Sequence, residues 1–116
     1  VFLISGIGIT PALSILKELE RVKYNQKVFL FYTNKNKENA AYLKDIEHIQ
    51  LEQFKLILVN TGTQKRIDDE FLKNQLGNYF GYTYYISGTT GFVNGMKTIL
   101  TTNHVSLDAI KMDDFG

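Results

Sequence analysis

Apolar residues along this chain fall into two kinds of stretch that take turns. Short runs rich in branched and aromatic side chains, at Val1–Ser5, Val28–Tyr32, Phe54–Val59, Tyr82–Ser87 and Leu107–Met112, predict five strands. The run Val28-Phe29-Leu30-Phe31-Tyr32 is apolar almost throughout, as expected of a parallel strand covered on both faces. Between these runs the apolar positions recur at helical spacing. Leu13, Ile15, Leu16, Leu19 and Val22 mark a first helix face, and Leu43, Ile46 and Ile49 a second. Ile67, Phe71, Leu72 and Leu76 mark a third, with Gly77 placed to end it in a backbone conformation that other residues avoid. Phe92, Val93, Met96, Ile99 and Leu100 mark a fourth, and this stripe reads as core. Strict alternation of strand and helix predicts an α/β fold, a three-layer αβα arrangement around a five-stranded, doubly wound parallel sheet. The expected strand order is 3-2-1-4-5. No repeat, low-complexity segment or linker interrupts the pattern, so residues 1–116 read as one domain.

That order reverses between the first and fourth strands, and open α/β sheets bind ligands outside the carboxyl ends of their strands at such a reversal. Two glycine-rich loops are expected there, Gly6-Ile7-Gly8-Ile9-Thr10-Pro11 and Gly88-Thr89-Thr90-Gly91. In the first, Gly6 and Gly8 permit close backbone approach. Thr10 is expected to cap the next helix through its hydroxyl, with Pro11 in the first turn. Unpaired N–H groups at that helix start suit a pyrophosphate. In the second loop, Ser87 ends a strand and Gly88 lets a flat ring lie against the backbone. A lone Gly-x-Gly is also what a plain strand-to-helix turn looks like. Two such loops at one crevice say more than either alone.

Composition then removes alternatives. Thirteen Lys and Arg against twelve Asp and Glu leave no electrostatic case for nucleic acid. The absence of cysteine excludes disulfides, thiolate zinc and iron–sulfur clusters from this chain. His48 and His104 lack ligand spacing, so no metal is expected. No apolar run approaches the roughly 20 residues of a membrane span. No secretory signal opens the chain, and a cytoplasmic location is the expectation. A strand at residue one with no initiator Met is read as the mark of a piece of a longer protein. Asp68, Asp69 and Glu70 suit a helix N-terminus, Asp113 and Asp114 read as a solvated tail, and Tyr84 and Tyr85 read as strand packing.

Taken together, "GIGITPALSIL", "FYTNKNKENAAYLKDIE", "FKLILVNTGT", "YYISGTTGFVNGMKTIL" and the closing "IKMDDFG" resemble the nucleotide-binding domain of the ferredoxin–NADP reductase family, in order and approximate spacing over essentially the whole chain. The resemblance implies a Rossmann-like domain that binds NAD(P)H, with FAD or FMN held on a separate N-terminal barrel of the same parent protein. It also implies hydride transfer between nicotinamide and flavin. Carried over by residue, Gly6, Gly8, Thr10 and Pro11 match the family's Gly-Thr-Pro loop beside pyrophosphate and nicotinamide. Tyr32, Thr33, Asn34 and Lys35 match the segment near the adenosine ribose. Ser87, Gly88 and Thr89 match its Cys-Gly-Pro motif, and Phe115 falls near an aromatic that covers the flavin in some members. Ser87 stands for the usual Cys and Thr89 for the usual Pro. Since the reacting atoms belong to the cofactors, Ser87 is a candidate for positioning the nicotinamide and no catalytic side chain is assigned.

NADH or NADPH stays open at this level. An acidic residue at the end of the second strand favours NADH, whereas this chain has Asn34-Lys35 there, followed by Lys37 and Glu38; Lys35 or Lys37 could meet a 2′-phosphate, but solvated loop lysines are the expectation. The acceptor is equally open among ferredoxin, an oxygenase component, a quinone or free flavin. With no room for a flavin barrel in 116 residues, the domain alone is expected to be inactive. The rival reading is a non-catalytic signalling or partner-binding domain on a flavodoxin-like scaffold. Against a receiver stand Ser5-Gly6 and Asn60-Thr61, where acidic residues would be needed. A free flavodoxin would need a hydroxyl-rich loop after the first strand, and a P-loop enzyme G-x-x-x-x-G-K-[ST]; both are missing.

Overall fold

A computed structural model of the chain describes residues 1–34, 42–62 and 66–116. The strands are β1 (Phe2–Ser5), β2 (Lys27–Asn34), β3 (Gln53–Asn60), β4 (Tyr84–Gly88) and β5 (Ile110–Asp114). The helices are α1 (Ile9–Arg21), α2 (Leu43–Glu47), α3 (Asp69–Leu76) and α4 (Thr90–Thr102). Every strand pairing is parallel and the order is β3-β2-β1-β4-β5, as the alternation predicts. β1 is central: Ile4 sits opposite Tyr32 of β2 on one side and Ser87 of β4 on the other.

Successive residues of a strand point to opposite faces, and here each face has its own core. Leu3, Phe31 and Ile86 pack with Leu72 and Leu76 of α3 and with Val93, Met96 and Leu100 of α4. Phe2, Ile4, Leu30 and Tyr32 pack on the other face with Ile9, Ala12, Leu13 and Leu16 of α1 and with Ile46 of α2. Aromatic edges lock the first cluster, with Phe31 edge-on to Phe71 at 6.1 Å between ring centroids.

The acidic run before α3 is placed as expected. The Asp68 carboxylate accepts the Phe71 N–H at 2.9 Å, satisfying a donor that the helix leaves open. Gly77 closes the helix at φ +83°, the region glycine enters freely. Asp69 does more than favour the helix dipole. Its Oδ1 accepts from the Tyr79 hydroxyl at 2.7 Å and from Asn103 Nδ2 at 3.0 Å, and Lys73 lies 3.2 Å from its other oxygen. The Tyr79 hydroxyl, chiefly, with the Lys73 charge, holds the Asp69 carboxyl below its ordinary range. Tyr84 in turn donates to the Tyr79 carbonyl at 2.7 Å, which ties α3, the segment after it and the end of α4 into one network.

Several boundaries differ from the sequence reading by a residue or two, and three of the differences have a local reason. Gly6–Gly8 form a 3-10 turn that winds directly into α1, and the Ile9 N–H reaches the Gly6 and Ile7 carbonyls. Gly8 is therefore the residue before the helix, Thr10 lies inside the first turn, and no side chain caps α1. The expected Thr10 cap is replaced by a backbone device, while Pro11 does occupy the first turn. Leu107–Ala109 form another 3-10 turn, begun by Ser106, whose hydroxyl accepts the Asp108 N–H at 3.3 Å. This delays β5 to Ile110, and the strand then runs through Asp113 and Asp114. These two residues are solvent-exposed, as expected, but form part of a strand and not a tail: Asp113 accepts from the Tyr85 hydroxyl, and Asp114 accepts from Thr90 Oγ1 at 2.7 Å. Tyr82 precedes β4 and packs its ring edge-on against Phe29 and Tyr84.

Candidate functional site

At the carboxyl ends of β1 and β4 the two glycine loops meet. Gly6 has φ +52°, a turn only glycine makes without strain, and it throws the chain from β1 into the 3-10 turn. Gly8 has an ordinary helical backbone, φ −60°. Its reason for being glycine is contact: a Cβ there would stand 2.5 Å from the Ser87 carbonyl oxygen and 2.8 Å from Ser87 Oγ. Gly88 answers from the other side, with φ +153° and no room for a Cβ against the Ser5 hydroxyl. Each loop's backbone thus presses on the other strand's terminal serine. Ser87 is fully buried in this seam.

The seam adjoins a cleft of about 640 Å³. Its floor is formed by Ser5 and Gly6 from β1, Thr33 and Asn34 from the end of β2, and Thr61 just after β3. One wall is the start of α4, where Thr89, Gly91, Phe92 and Gly95 face it, and Met96 and Ile99 close it lower down. Arg66 and the buried Ile67 complete the lining. Thr89 is the residue before α4, and its hydroxyl lies 3.5 Å from the Phe92 N–H. Thr61 binds the Asn34 carbonyl twice, through N at 2.7 Å and Oγ1 at 3.1 Å, which holds the ends of β2 and β3 together. Two residues of the lining carry a buried polar atom with no hydrogen-bond partner, Ser5 Oγ and Asn34 Nδ2, and by strand alternation the Asn34 side chain shares the Tyr32 face of the sheet. A buried donor left in this way costs about 1–3 kcal/mol, so these strand ends hold polar capacity that the fold itself does not use.

Of the residues singled out in the sequence, Gly6, Thr33, Asn34 and Thr89 line this one cleft, and Gly8, Ser87 and Gly88 build the seam beside it. Thr10 and Pro11 sit in the first turn of α1 and are not part of the lining. Lys35, Lys37 and Glu38 lie outside the described residues. The Phe115 ring is half-exposed, and its N–H donates to the Gly88 carbonyl at 2.8 Å, which brings the end of the chain to the lip of the crevice. The Asp114 carboxyl is held below its ordinary range by the Gly116 N–H and by Thr90. Burial and the bond to Asp113 push the Tyr85 hydroxyl up to about 12. Phe92 and Met96 both pack on the core and face the cleft, so the helical stripe serves two purposes. Ser5, Thr61 and Arg66 were not singled out in the sequence. For Ser5 a signal existed, since it stands at the carboxyl end of β1 beside the reversal point.

The sequence profile of the oxidoreductase NAD-binding domain family matches residues 2–98, from β1 into α4. The chain belongs to that family. The match includes both loops and the whole cleft lining short of Ile99. A flavohemoprotein of Bacillus subtilis (strain 168) is 26% identical over 133 residues, covering 100% of this chain and 32% of that protein. Among solved structures, a flavohemoglobin from Malassezia yamatoensis with bound FAD and heme superimposes with a TM-score of 0.86. It is 19% identical, over 99% of this chain and 31% of that one. A ferredoxin reductase in carbazole 1,9a-dioxygenase gives a TM-score of 0.75 at 22% identity, over 99% of this chain and 34% of that one. This chain therefore spans about a third of the length of the relatives it matches. The resemblance to ferredoxin reductase-type domains and the Rossmann-like α/β fold both stand. Among the described residues no helix is long and apolar enough to cross a membrane.

Proposed function

We propose that this chain is the pyridine-nucleotide half of a flavin-dependent oxidoreductase, holding NAD(P)H in the cleft at the β1–β4 reversal. The observation that carries the reading is the seam. Two glycines at which a Cβ would collide bring two backbones together beside an open cleft whose lining has unspent polar capacity. A dinucleotide fits such a place, because it offers flat rings for close backbone approach and many acceptors for unpaired donors. In this reading Gly6 and Gly8, with the first turn of α1 at Thr10 and Pro11, lie beside the pyrophosphate. Ser87, Gly88 and Thr89 border the nicotinamide, and Thr33 and Asn34 the adenosine ribose. When bound, the reduced nicotinamide supplies a hydride for a flavin, FAD or FMN, on a domain outside these residues.

The work of this chain is then orientation and exclusion of water, with Ser87 as a positioning residue. Phe115, tethered to Gly88, stands where a flavin-bearing domain would approach. The flavin would pass its electrons to an acceptor outside this chain, whether ferredoxin, an oxygenase component, a quinone or free flavin, and the domain alone turns nothing over. Amide NMR of the chain with NADH, NADPH and AMP tests the reading. The expected result is shifts at Gly6, Thr33, Gly88 and Thr89. If millimolar nucleotide leaves both glycine loops unmoved, the reading fails.

A further inference from the structure

We infer that Tyr85 is the residue on which a one-electron oxidation of this domain comes to rest, its hydroxyl proton passing to Asp113 as the electron leaves. This is a redox role that the dinucleotide reading does not contain. The first observation is compositional. The chain has seven tyrosines but no tryptophan and no cysteine, so a phenol is the side chain here that gives up an electron most readily. The second is geometric. A phenol loses an electron easily only when its proton can leave at the same time, so the base beside the hydroxyl decides which tyrosine is oxidised. Tyr79 and Tyr85 each donate to a carboxylate, Asp69 and Asp113. Tyr84 donates to the Tyr79 carbonyl, which is far too weak a base to take the proton.

The two carboxylates are not equivalent. Asp69 also accepts from Asn103 at 3.0 Å and faces Lys73 at 3.2 Å, so its charge is already shared and it gains little from another proton. Asp113 stands exposed on β5, where a proton it receives passes on to water. Position favours the same pair. Tyr85 and Ser87 lie on one face of β4, and Asp113 is the register partner of Ser87, so the pair adjoins the seam. The Phe2 ring stands edge-on to the Tyr85 ring at 5.8 Å and holds it while the hydroxyl changes state. Burial and the bond to Asp113 raise the hydroxyl to about 12, so the proton is in place at neutral pH and leaves only with the electron. The step balances. An outer-sphere one-electron oxidant takes one electron, the Tyr85 O–H bond breaks and an O–H bond forms on Asp113. The products are a neutral tyrosyl radical, a protonated Asp113 and the oxidant reduced by one electron.

The test makes the oxidant by laser flash, from a ruthenium tris-bipyridine complex and a sacrificial cobalt(III) acceptor in solution with the full chain. Transient absorbance and freeze-quench electron paramagnetic resonance follow the tyrosyl radical. The expected result is one dominant radical, formed more slowly in deuterated water because a proton moves with the electron. Tyr85→Phe keeps the ring on Phe2 and is expected to lower the radical yield several-fold, while Tyr79→Phe and Tyr42→Phe leave it near the parent level. Asp113→Asn keeps the tyrosine and removes the base. It is expected to slow radical formation about 10-fold, equivalent to about 1.4 kcal/mol on the barrier, whereas Asp69→Asn changes nothing. Full yield in Tyr85→Phe, or an unchanged rate in Asp113→Asn, overturns the inference. So does a yield that falls with Tyr79→Phe, which would move the radical to the other pair. None of these outcomes touches the dinucleotide reading, because no nucleotide is present.

Discussion

Replacing Gly8 by alanine tests whether the two loops meet as tightly as described. The added methyl would sit 2.5 Å from the Ser87 carbonyl oxygen and 2.6 Å from its carbon, whereas ordinary contact starts near 3.4 Å. The seam must therefore open by nearly an ångström. Neither side yields easily, because the obstructing atoms are backbone and Ser87 is held in register with Ile4 of β1. Forced overpacking of this kind costs about 1–3 kcal/mol. Taking about 2 kcal/mol, a chain of this size loses roughly 8 °C in Tm. Gly95→Ala is the internal control. It stands within α4 with nothing inside 4 Å of its added Cβ, and relief of glycine's backbone entropy should stabilise by about 0.5–1 kcal/mol. Urea unfolding followed by circular dichroism, with an unchanged m value, measures both. A Gly8→Ala chain within about 0.5 kcal/mol of the parent would refute the close approach.

Other outcomes follow from the packing and the caps. Leu72→Ala empties a fully buried site in the α3–α4 core and should cost about 2–5 kcal/mol in the same urea assay. Asp68→Ala removes the carboxylate that caps α3 and should cost about 1 kcal/mol, with the Phe71 amide exchanging faster with solvent. Burial raises the Tyr79, Tyr84 and Tyr85 hydroxyls above the ordinary tyrosine range, Tyr85 to about 12. In the unfolded chain these groups ionise first, from about pH 10. Their contribution is thus complete below that pH and is lost as pH rises through the folded values. Tm measured against pH should fall on the alkaline side, and phenolate absorbance should rise together with unfolding. Ionisation of all seven tyrosines in a chain still folded would contradict it.

The elements and their order were legible because each strand is a run and each helix a stripe, so tertiary packing had little to override. The edges were less so. Thr10 looked like a cap since its side chain suits that role, but capping here is done by the carbonyls of Gly6 and Ile7, which leave no trace in residue type. Asp113 and Asp114 looked like solvated tail because strand propensity disfavours aspartate. Their place in β5 rests on hydroxyls supplied by Tyr85 and Thr90, far earlier in the chain. At the site, glycine spacing marked both loops. It could not mark Arg66 or Thr61, which reach the cleft through the register of β2 with β3 and not through any local pattern. The reason Gly8 is glycine was also only half visible, since its backbone is ordinary and the constraint comes from Ser87.

The neighbours that form the crevice, β1 and β4, are far apart in the chain, at Phe2–Ser5 and Tyr84–Gly88. Contacts so distant in sequence carry the full entropy of closing the intervening loop and tend to form late. The half-sheet of β1, β2 and β3 needs no residue beyond Asn60 for its ladder, yet it contains no crevice. A dinucleotide that recognises only the finished crevice therefore acts as a clamp on the last docking event. At a free concentration a hundred times its Kd it would raise the apparent stability of the whole chain by about 2.7 kcal/mol. For a domain of ordinary, marginal stability, its lifetime against proteolysis in a cell would then track the local supply of nucleotide.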